Sequence, residues 1–215
     1  MRFSSLSNWA ACARIPHFAY SSDSIPWAGR QMGQSPSEST GLRINVVGTT
    51  GSGKTTVAKL LARRLGFRRI EIDALSWLPN WEMTPRDELA RLVDQATQGD
   101  DWVIDGNYSD VRSVLWPKLD TIIWLDYSFP RVFWQLLVRT IRRAITREEL
   151  WSGCRERFRV SFFSKDSILI WCLKTYWRRR RNYPQLFEQP EHQHIVVRRF
   201  SSPREFSHWL SALPS

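Results

Sequence analysis

The chain has 215 residues, 42% hydrophobic and 24% charged, a composition that is typical of a folded globular domain and excludes a wholly disordered, collagenous or fibrous chain. Lys and Arg outnumber Asp and Glu by 31 to 21, and the net charge of +10 predicts a surface that attracts anions. The three cysteines form no Cys-x-x-Cys pair, and the apolar runs are shorter than the ~18 residues of a membrane span. We therefore expect a cytoplasmic protein without a disulfide framework, zinc knuckle or transmembrane helix.

Residues 1–40 are predicted to form a disordered tail, because Ser, Pro, Gly and Gln are scattered through them without a sustained helical or strand period. The first 22 residues contain Arg2 and Arg14 but no acidic residue. An organelle transit peptide is therefore an alternative interpretation, beside a disordered extension or a start codon placed too early.

After the tail, short β-rich runs alternate with helical patterns, which predicts an α/β domain with a parallel sheet over residues 41–215. Lys54–Leu65 and the segment after Pro85 each place apolar side chains on one stripe, and Thr84 is a helix-start signal. A last helix is predicted over Pro203–Leu213. The predicted strands are Leu42–Val47, Arg69–Ile72, Trp102–Ile104, Thr121–Leu125 and His194–Val197.

One loop motif predicts binding of nucleotide phosphates. Residues 48–55 read Gly-Thr-Thr-Gly-Ser-Gly-Lys-Thr and match G-x-x-x-x-G-K-[ST] between a predicted strand and a predicted helix. In such a loop, backbone N–H groups and the helix dipole face the phosphates, Lys54 reaches the β- and γ-phosphates, and the Thr55 hydroxyl is placed to ligate Mg²⁺. We therefore predict ATP and Mg²⁺ as cofactors. The predicted nucleotide-binding residues are Gly48, Thr49, Thr50, Gly51, Ser52, Gly53, Lys54, Thr55 and Thr56.

Three predicted strands end in an aspartate at the edge where open α/β sheets bind ligands. These aspartates are Asp73, Asp105 and Asp126. Asp105 is the preferred metal-binding candidate, because the following Gly106 allows a close backbone approach. Asp126 is the candidate most expected to be structural, since strand-end aspartates often cap the next element.

Asp73 begins a segment, residues 73–81, with too little periodicity for a helix and with two tryptophans, Trp77 and Trp81. We interpret it as an acceptor pocket, in which Asp73 orients or deprotonates a substrate hydroxyl and Trp77 stacks on a planar or sugar face. The alternative is that both rings simply cover the core. Three further residues are predicted to supply substrate contacts: Asn107, Tyr108 and Arg112.

In order along the chain, Gly-x-x-Gly-Ser-Gly-Lys-Thr, Ile-Asp-Ala-Leu-Ser-Trp, Trp-Val-Ile-Asp-Gly-Asn-Tyr, Ile-Ile-Trp-Leu-Asp and Gly-Cys-Arg-Glu-Arg-Phe resemble one family. These are the adenylate-kinase-related P-loop proteins often labelled DNA topology modulation proteins, and the similarity covers about residues 42–201. The resemblance implies a three-layer P-loop fold with five parallel strands in the order 2-3-1-4-5 and a helical lid over about residues 140–182. Asn-Tyr-Ser follows Asp-Gly where true adenylate kinases have Phe-Pro-Arg, which argues against AMP as the acceptor.

The basic excess is concentrated in residues 128–187, which hold 14 Lys and Arg against four acidic residues. The resemblance places lid arginines over the transferring phosphate, where a planar guanidinium can bind two oxygens at once. The candidates are Arg139, Arg143, Arg155 and Arg157, with a solvated charged face as the alternative. The run Arg178–Arg181 would point to all sides of a helix, so we interpret it as a surface feature that could meet nucleic acid or anionic lipid.

Two functions follow from these residues. The first is a kinase that transfers the γ-phosphoryl of Mg-ATP to a small acceptor, such as a nucleoside, nucleotide or hydroxylated metabolite, with Lys54, Asp73 and lid arginines as its catalytic residues. The alternative is a nucleotide-regulated ATPase or binding protein that acts on nucleic acid through its arginine-rich helix. An acceptor-side aspartate together with lid arginines favours the kinase.

Overall fold

The computed structural model of the protein describes residues 42–146, 150–153 and 167–213. Five parallel strands form one sheet in the order β2-β3-β1-β4-β5, as the family resemblance implied. The predicted tail, residues 1–40, lies outside the described residues. The strands are β1 Arg43–Gly48, β2 Arg68–Glu71, β3 Trp102–Asp105, β4 Thr121–Leu125 and β5 Val196–Phe200.

Helices connect the strands and pack on both faces of the sheet. Two of them are longer than a simple crossover needs and belong to the basic region, α5 Phe129–Thr146 and α6 Ile168–Phe187. The others are α1 Lys54–Leu65, α2 Ile72–Ser76, α3 Arg86–Ala96, α4 Arg112–Leu115 and α7 Pro203–Ser211.

The core follows from the alternation of side chains along the strands. On β1, Ile44 and Val46 enter one hydrophobic cluster with α1, α5 and α7, whereas Val47 enters a second cluster with α3 and α4. On β4, Ile123 and Ile122 divide between the clusters in the same way. The sheet is therefore buried on both faces, and the chain forms three layers.

The bounds of β1, β2, β3 and the last helix differ from the sequence predictions by one or two residues, and larger differences occur elsewhere. The last strand begins at Val196 and runs to Phe200, because Arg199 is accommodated in it by an ion pair with Asp126. The segment after Asp73, predicted to lack a helix, begins with the short helix α2. Thr84 does not cap α3. Its hydroxyl instead donates to the carbonyl of Leu75 at 2.8 Å, which connects the segment before α3 to α2.

The register brings the carboxyl ends of the strands to one edge. Asp105 of β3 lies opposite Val46 of β1 and opposite Glu71 of β2, and Gly48 of β1 lies opposite Leu125 of β4. The loop after Gly48 is thus flanked by β3, which ends at Asp105, and by β4, which is followed by Asp126. Within residues 42–146, 150–153 and 167–213, no helix has the length and apolar character needed to cross a lipid bilayer.

Candidate active site

The loop between β1 and α1 is built as an anion cradle. The first intrahelical hydrogen bond of α1 runs from Val57 N–H to the Gly53 carbonyl at 3.0 Å, so the N–H groups of the preceding turn have no acceptor within the helix. Gly51 and Gly53 have φ of 88° and 89°, a region that side chains disfavour. A Cβ on Gly51 would lie 2.7 Å from the Val132 carbonyl oxygen, so the loop packs directly on the backbone of α5.

Asn107 fixes the start of this loop. Its Oδ1 accepts from Gly48 N–H at 3.0 Å, and its Nδ2 donates to the Gly48 carbonyl. Both polar ends of the amide are therefore used to join the end of β3 to the end of β1. The predicted substrate contact of Asn107 stays a prediction, and the contact seen in the structure is with the loop.

Lys54 turns back into the loop, where its ammonium donates to the Thr49 carbonyl at 3.3 Å. Desolvation and the positive charge of Arg179 lower the pKa of Lys54 to about 8, although Asp73 and Asp105 oppose the shift. The ammonium is thus a cation that lacks sufficient counter-charge from the protein. Anionic phosphate oxygens in the loop would supply it.

Affinity for ATP is expected to fall as the pH rises above about 8, because a triphosphate stabilises the charged form of Lys54 and the free protein loses that charge. Since one proton is taken up per nucleotide bound in this range, the dissociation constant should increase by about tenfold per pH unit. Titration calorimetry in two buffers of different ionisation enthalpy measures both quantities. The control is Lys54→Arg, whose guanidinium stays charged, so its affinity should be flat with pH. A wild-type affinity that is flat between pH 8 and 10 would contradict the assignment.

Asp105 lies beside Lys54 at the end of β3 and is buried. Desolvation and the neighbouring carboxylate of Glu71 raise the pKa of Asp105 to about 6, against the attraction of Arg69 and Lys54. Its Oδ2 has no hydrogen-bond partner among the described residues, and the guanidinium of Arg69 approaches it only to 3.6 Å. Asp105 is therefore a buried carboxyl group whose Oδ2 has an ion-pair contact with Arg69 but no hydrogen bond among the described residues.

These residues fit a magnesium site that is completed by the nucleotide. The described residues hold no cluster of three or more His, Cys, Asp or Glu side chains, so these residues by themselves do not form a closed cage for a cation. Mg²⁺ is commonly held by one or two protein oxygens together with substrate phosphates. The carboxylate of Asp105, whose Oδ2 accepts no hydrogen bond from the described residues, and the hydroxyl of Thr55 would be those protein ligands, and the assignment stays a prediction.

Asp73 and Tyr108, both predicted to contact the acceptor, are hydrogen-bonded to each other. The Tyr108 hydroxyl donates to Asp73 Oδ1 at 2.7 Å, which joins α2 to the segment after β3. Burial and the charge of Asp73 raise the pKa of Tyr108 beyond its usual range, so the phenol stays protonated and remains a donor. The charge of Asp73 also reaches Lys54, which places the pair next to the loop.

Trp77 and Trp81 pack on each other with ring centroids 5.4 Å apart, and within the described residues neither ring is a member of the two hydrophobic clusters. The two described clusters therefore do not include these rings, and the acceptor pocket stays a prediction. The carbonyl of Trp77 accepts a hydrogen bond from Ser152 at 2.7 Å, so the segment at 151–153 reaches this side of the site.

Arg112 lines a small cavity with Asn45, Tyr108 and Tyr183. Its guanidinium lies 4.8 Å from the centre of the Trp116 ring, and its Nε is buried with no hydrogen-bond partner in the part of the chain that the structure describes. Desolvation lowers the pKa of Arg112, and the charge of Arg179 adds to this effect. The guanidinium groups of Arg112 and Arg179 are therefore close enough to repel each other.

The predicted lid arginines are only partly covered by the structure. Arg139 on α5 is near enough to Lys54 for its charge to contribute to the lowered pKa of Lys54, and its catalytic role stays a prediction. Arg143 is on the same helix and half-buried, and its role stays a prediction. Arg155 and Arg157 lie outside the described residues.

Sequence reasoning missed Arg179. The run Arg178–Arg181 was interpreted as a surface feature, which holds for Arg178 and Arg181 but not for the two residues between them. Arg180 pairs with the buried Asp126 at 3.3 Å, and Arg179 lowers the pKa of Lys54 while one of its terminal nitrogens is buried and unpartnered among the described residues. The sequence did contain a signal that Arg179 is partly buried. Arg179 lies on the same helical face of α6 as the buried residues Cys172, Tyr176, Tyr183 and Phe187.

Comparisons with known proteins identify the family of the chain. The protein-family profile described as "ATPase family associated with various cellular activities (AAA)" matches residues 44–126. A shikimate kinase of Synechococcus elongatus is 30% identical over 139 residues, which cover 55% of this chain and 73% of that relative. The chain belongs to the P-loop kinase family.

Two further relatives agree with membership of the P-loop kinases. A candidate adenylate kinase of Thermococcus onnurineus is 38% identical over 73 residues, which cover 31% of this chain and 41% of that protein. The crystal structure of a shikimate kinase from Bacteroides thetaiotaomicron superimposes with a TM-score of 0.50 at 13% identity, over 79% of this chain and 94% of that chain, which shows the shared fold. The protein is thus an ATP-binding P-loop kinase, as the loop motif predicted.

Proposed function

We propose that this P-loop kinase transfers the γ-phosphoryl group of Mg-ATP to a hydroxyl of a small anionic acceptor bound between Asp73, Tyr108 and Arg112. The observation that carries the proposal is the Asp73–Tyr108 hydrogen bond of 2.7 Å, set at the strand edge beside the ammonium of Lys54. A carboxylate held in place on the acceptor side of a phosphate loop is what phosphoryl transfer to a hydroxyl requires.

In this proposal, different residues bind the phosphoryl donor and the acceptor. The loop N–H groups and Lys54 bind the β- and γ-phosphates, and bound Mg²⁺ would offset the charge on their oxygens. Because Tyr108 occupies Asp73 Oδ1, the other carboxylate oxygen is assigned to the acceptor hydroxyl. That hydroxyl gives its proton to Asp73 while its oxygen bonds to the γ-phosphorus, and the bond from the γ-phosphorus to the bridging oxygen breaks to release ADP.

The charges around the acceptor pocket support an anionic substrate. Arg112 and Arg179 act on each other electrostatically, and each has a buried nitrogen without a hydrogen-bond partner in the described part of the chain. Like charges that share a partly buried region are costly unless an anion lies between them. The name of one relative, shikimate kinase, also specifies an acceptor that is an anion.

The test is ADP release from Mg-ATP with matched acceptor pairs, each a hydroxylated compound with and without a carboxylate or phosphate group, such as a sugar and its sugar acid. We expect the anionic member to stimulate turnover and Arg112→Gln to raise its KM by about tenfold or more, the usual effect of losing one charged hydrogen bond. Equal stimulation by both members of every pair would overturn the anionic acceptor. Lack of stimulation by any acceptor would overturn the kinase assignment for this site.

The nucleic-acid alternative receives less support. It depends on the run Arg178–Arg181 acting as one external surface, whereas Arg180 is paired with Asp126 and Arg179 is directed to the loop. The narrower resemblance to DNA topology modulation proteins stays a prediction.

A further inference from the structure

Helix α5 exposes an apolar stripe on the side opposite its buried face. Trp134, Val138, Ile141 and Ile145 are exposed, the first to 65% and the last to 75%. At 100° per residue they fall within an arc of about 60° and extend over about 16 Å. The buried residues of α5, Val132, Leu136 and Thr140, lie on the far side.

The surroundings of this stripe are basic. Arg131 and Arg142 are exposed along one flank of it, and neither α5 nor the neighbouring α6 contains an acidic residue. The two helices adjoin at the stacked rings of Phe129 and Trp177, whose centroids are 5.9 Å apart. Next to Trp177, α6 adds exposed cations at Lys174 and Arg178.

We propose that this face of α5, defined by Trp134, Val138, Ile141 and Ile145 with the flanking Arg131 and Arg142, binds peripherally to an anionic lipid bilayer. An apolar stripe beside cations is the pattern of a helix that lies in the plane of a bilayer surface, with its apolar side chains at the acyl boundary and its cations at the head groups. Tryptophan is favoured at that boundary. The proposal does not depend on the proposed kinase reaction.

Other occupants of the stripe fit less well. A second copy would bring the same cations together with no acidic residue on either helix to compensate them. Nucleic-acid bases stack on aromatic rings, whereas three of the four stripe residues are aliphatic. Membrane binding through the stripe would also leave the phosphate loop accessible to nucleotide, because Arg139, whose charge acts on Lys54, lies on the opposite side of α5.

The test is sedimentation of the full chain with vesicles of phosphatidylcholine alone or mixed with phosphatidylglycerol. We expect binding to the mixed vesicles at low salt, weak binding to neutral ones, and weakening as salt rises. Ile145→Asn should reduce binding by about tenfold or more, since withdrawing one such side chain from lipid has an effect of this size. Leu60→Asn, which changes an exposed leucine on α1, is the matched control and should bind like the wild type.

Binding to mixed vesicles that is equal in the wild type and Ile145→Asn would show adsorption by charge alone and overturn the proposal. Absence of binding to both vesicle types would overturn it as well. So would a concentration-dependent dimer that analytical ultracentrifugation detects in the wild type but not in Ile145→Asn. A polynucleotide that binds the wild type but not Ile145→Asn, with vesicles unbound, would assign the stripe to nucleic acid. ATP affinity should be equal in all variants, which verifies that each is folded.

Discussion

Replacement of Lys54 by Met is expected to lower kcat/KM for phosphoryl transfer by about 10²–10³-fold or more, because we assign the ammonium as the charged donor of the loop to the transferring phosphate. The variant should remain folded. The pKa of Lys54 is lowered from its unfolded value to about 8, so below that pH the charged side chain opposes folding, and its removal should leave Tm unchanged or higher. ADP release and thermal unfolding measure the two effects.

Lys59→Met is the matched control for this experiment. Lys59 lies on the same helix and is exposed, so its replacement should change neither activity nor Tm appreciably. Activity of Lys54→Met within tenfold of the wild type would show that the loop does not bind the transferred phosphate in the way we assign.

Replacement of Asp73 by Asn is expected to lower acceptor-dependent turnover by about 10²–10⁴-fold, the usual contribution of a general base. Asn retains an oxygen that can accept from Tyr108, so the pocket should keep its shape while the proton acceptor is lost. Affinity for ATP should stay within a few-fold of the wild type, because Asp73 lies on the acceptor side. Single-turnover ADP formation and nucleotide titration separate the two quantities.

Tyr108→Phe tests positioning against proton transfer. It removes the donor to Asp73 Oδ1 but leaves the carboxylate, so we expect a smaller loss of about tenfold, the value of one hydrogen bond to a charged group. If Asp73→Asn and Tyr108→Phe reduced turnover equally, Asp73 would have a structural role only.

The sequence allowed the prediction of features that depend on neighbours along the chain. Helix α1 was predicted with the bounds that the structure shows, since its apolar period and the preceding glycines are local signals. The strand β4 was also predicted with its observed bounds, because five consecutive buried residues form a clear run. Both elements are defined by short-range patterns.

Features that depend on contacts between distant segments could not be predicted from the residues alone. Glu71 influences Asp105 only because β2 and β3 are adjacent and in register. The amide of Asn107 reaches Gly48 across the neighbouring strand, and no local pattern distinguishes this role from a substrate contact. Arg179 required knowledge of which face of α6 is buried.

The close packing of Gly51 on the Val132 carbonyl has a mechanical consequence. This contact leaves no room for a methyl group. A movement of the loop when phosphate enters or leaves would therefore displace α5 as well. Helix α5 also carries Arg139 on one side and the exposed apolar stripe on the other. We therefore expect phosphate binding in the loop to be coupled to the position of the exposed apolar stripe, through the packing of Gly51 on Val132 and Leu136.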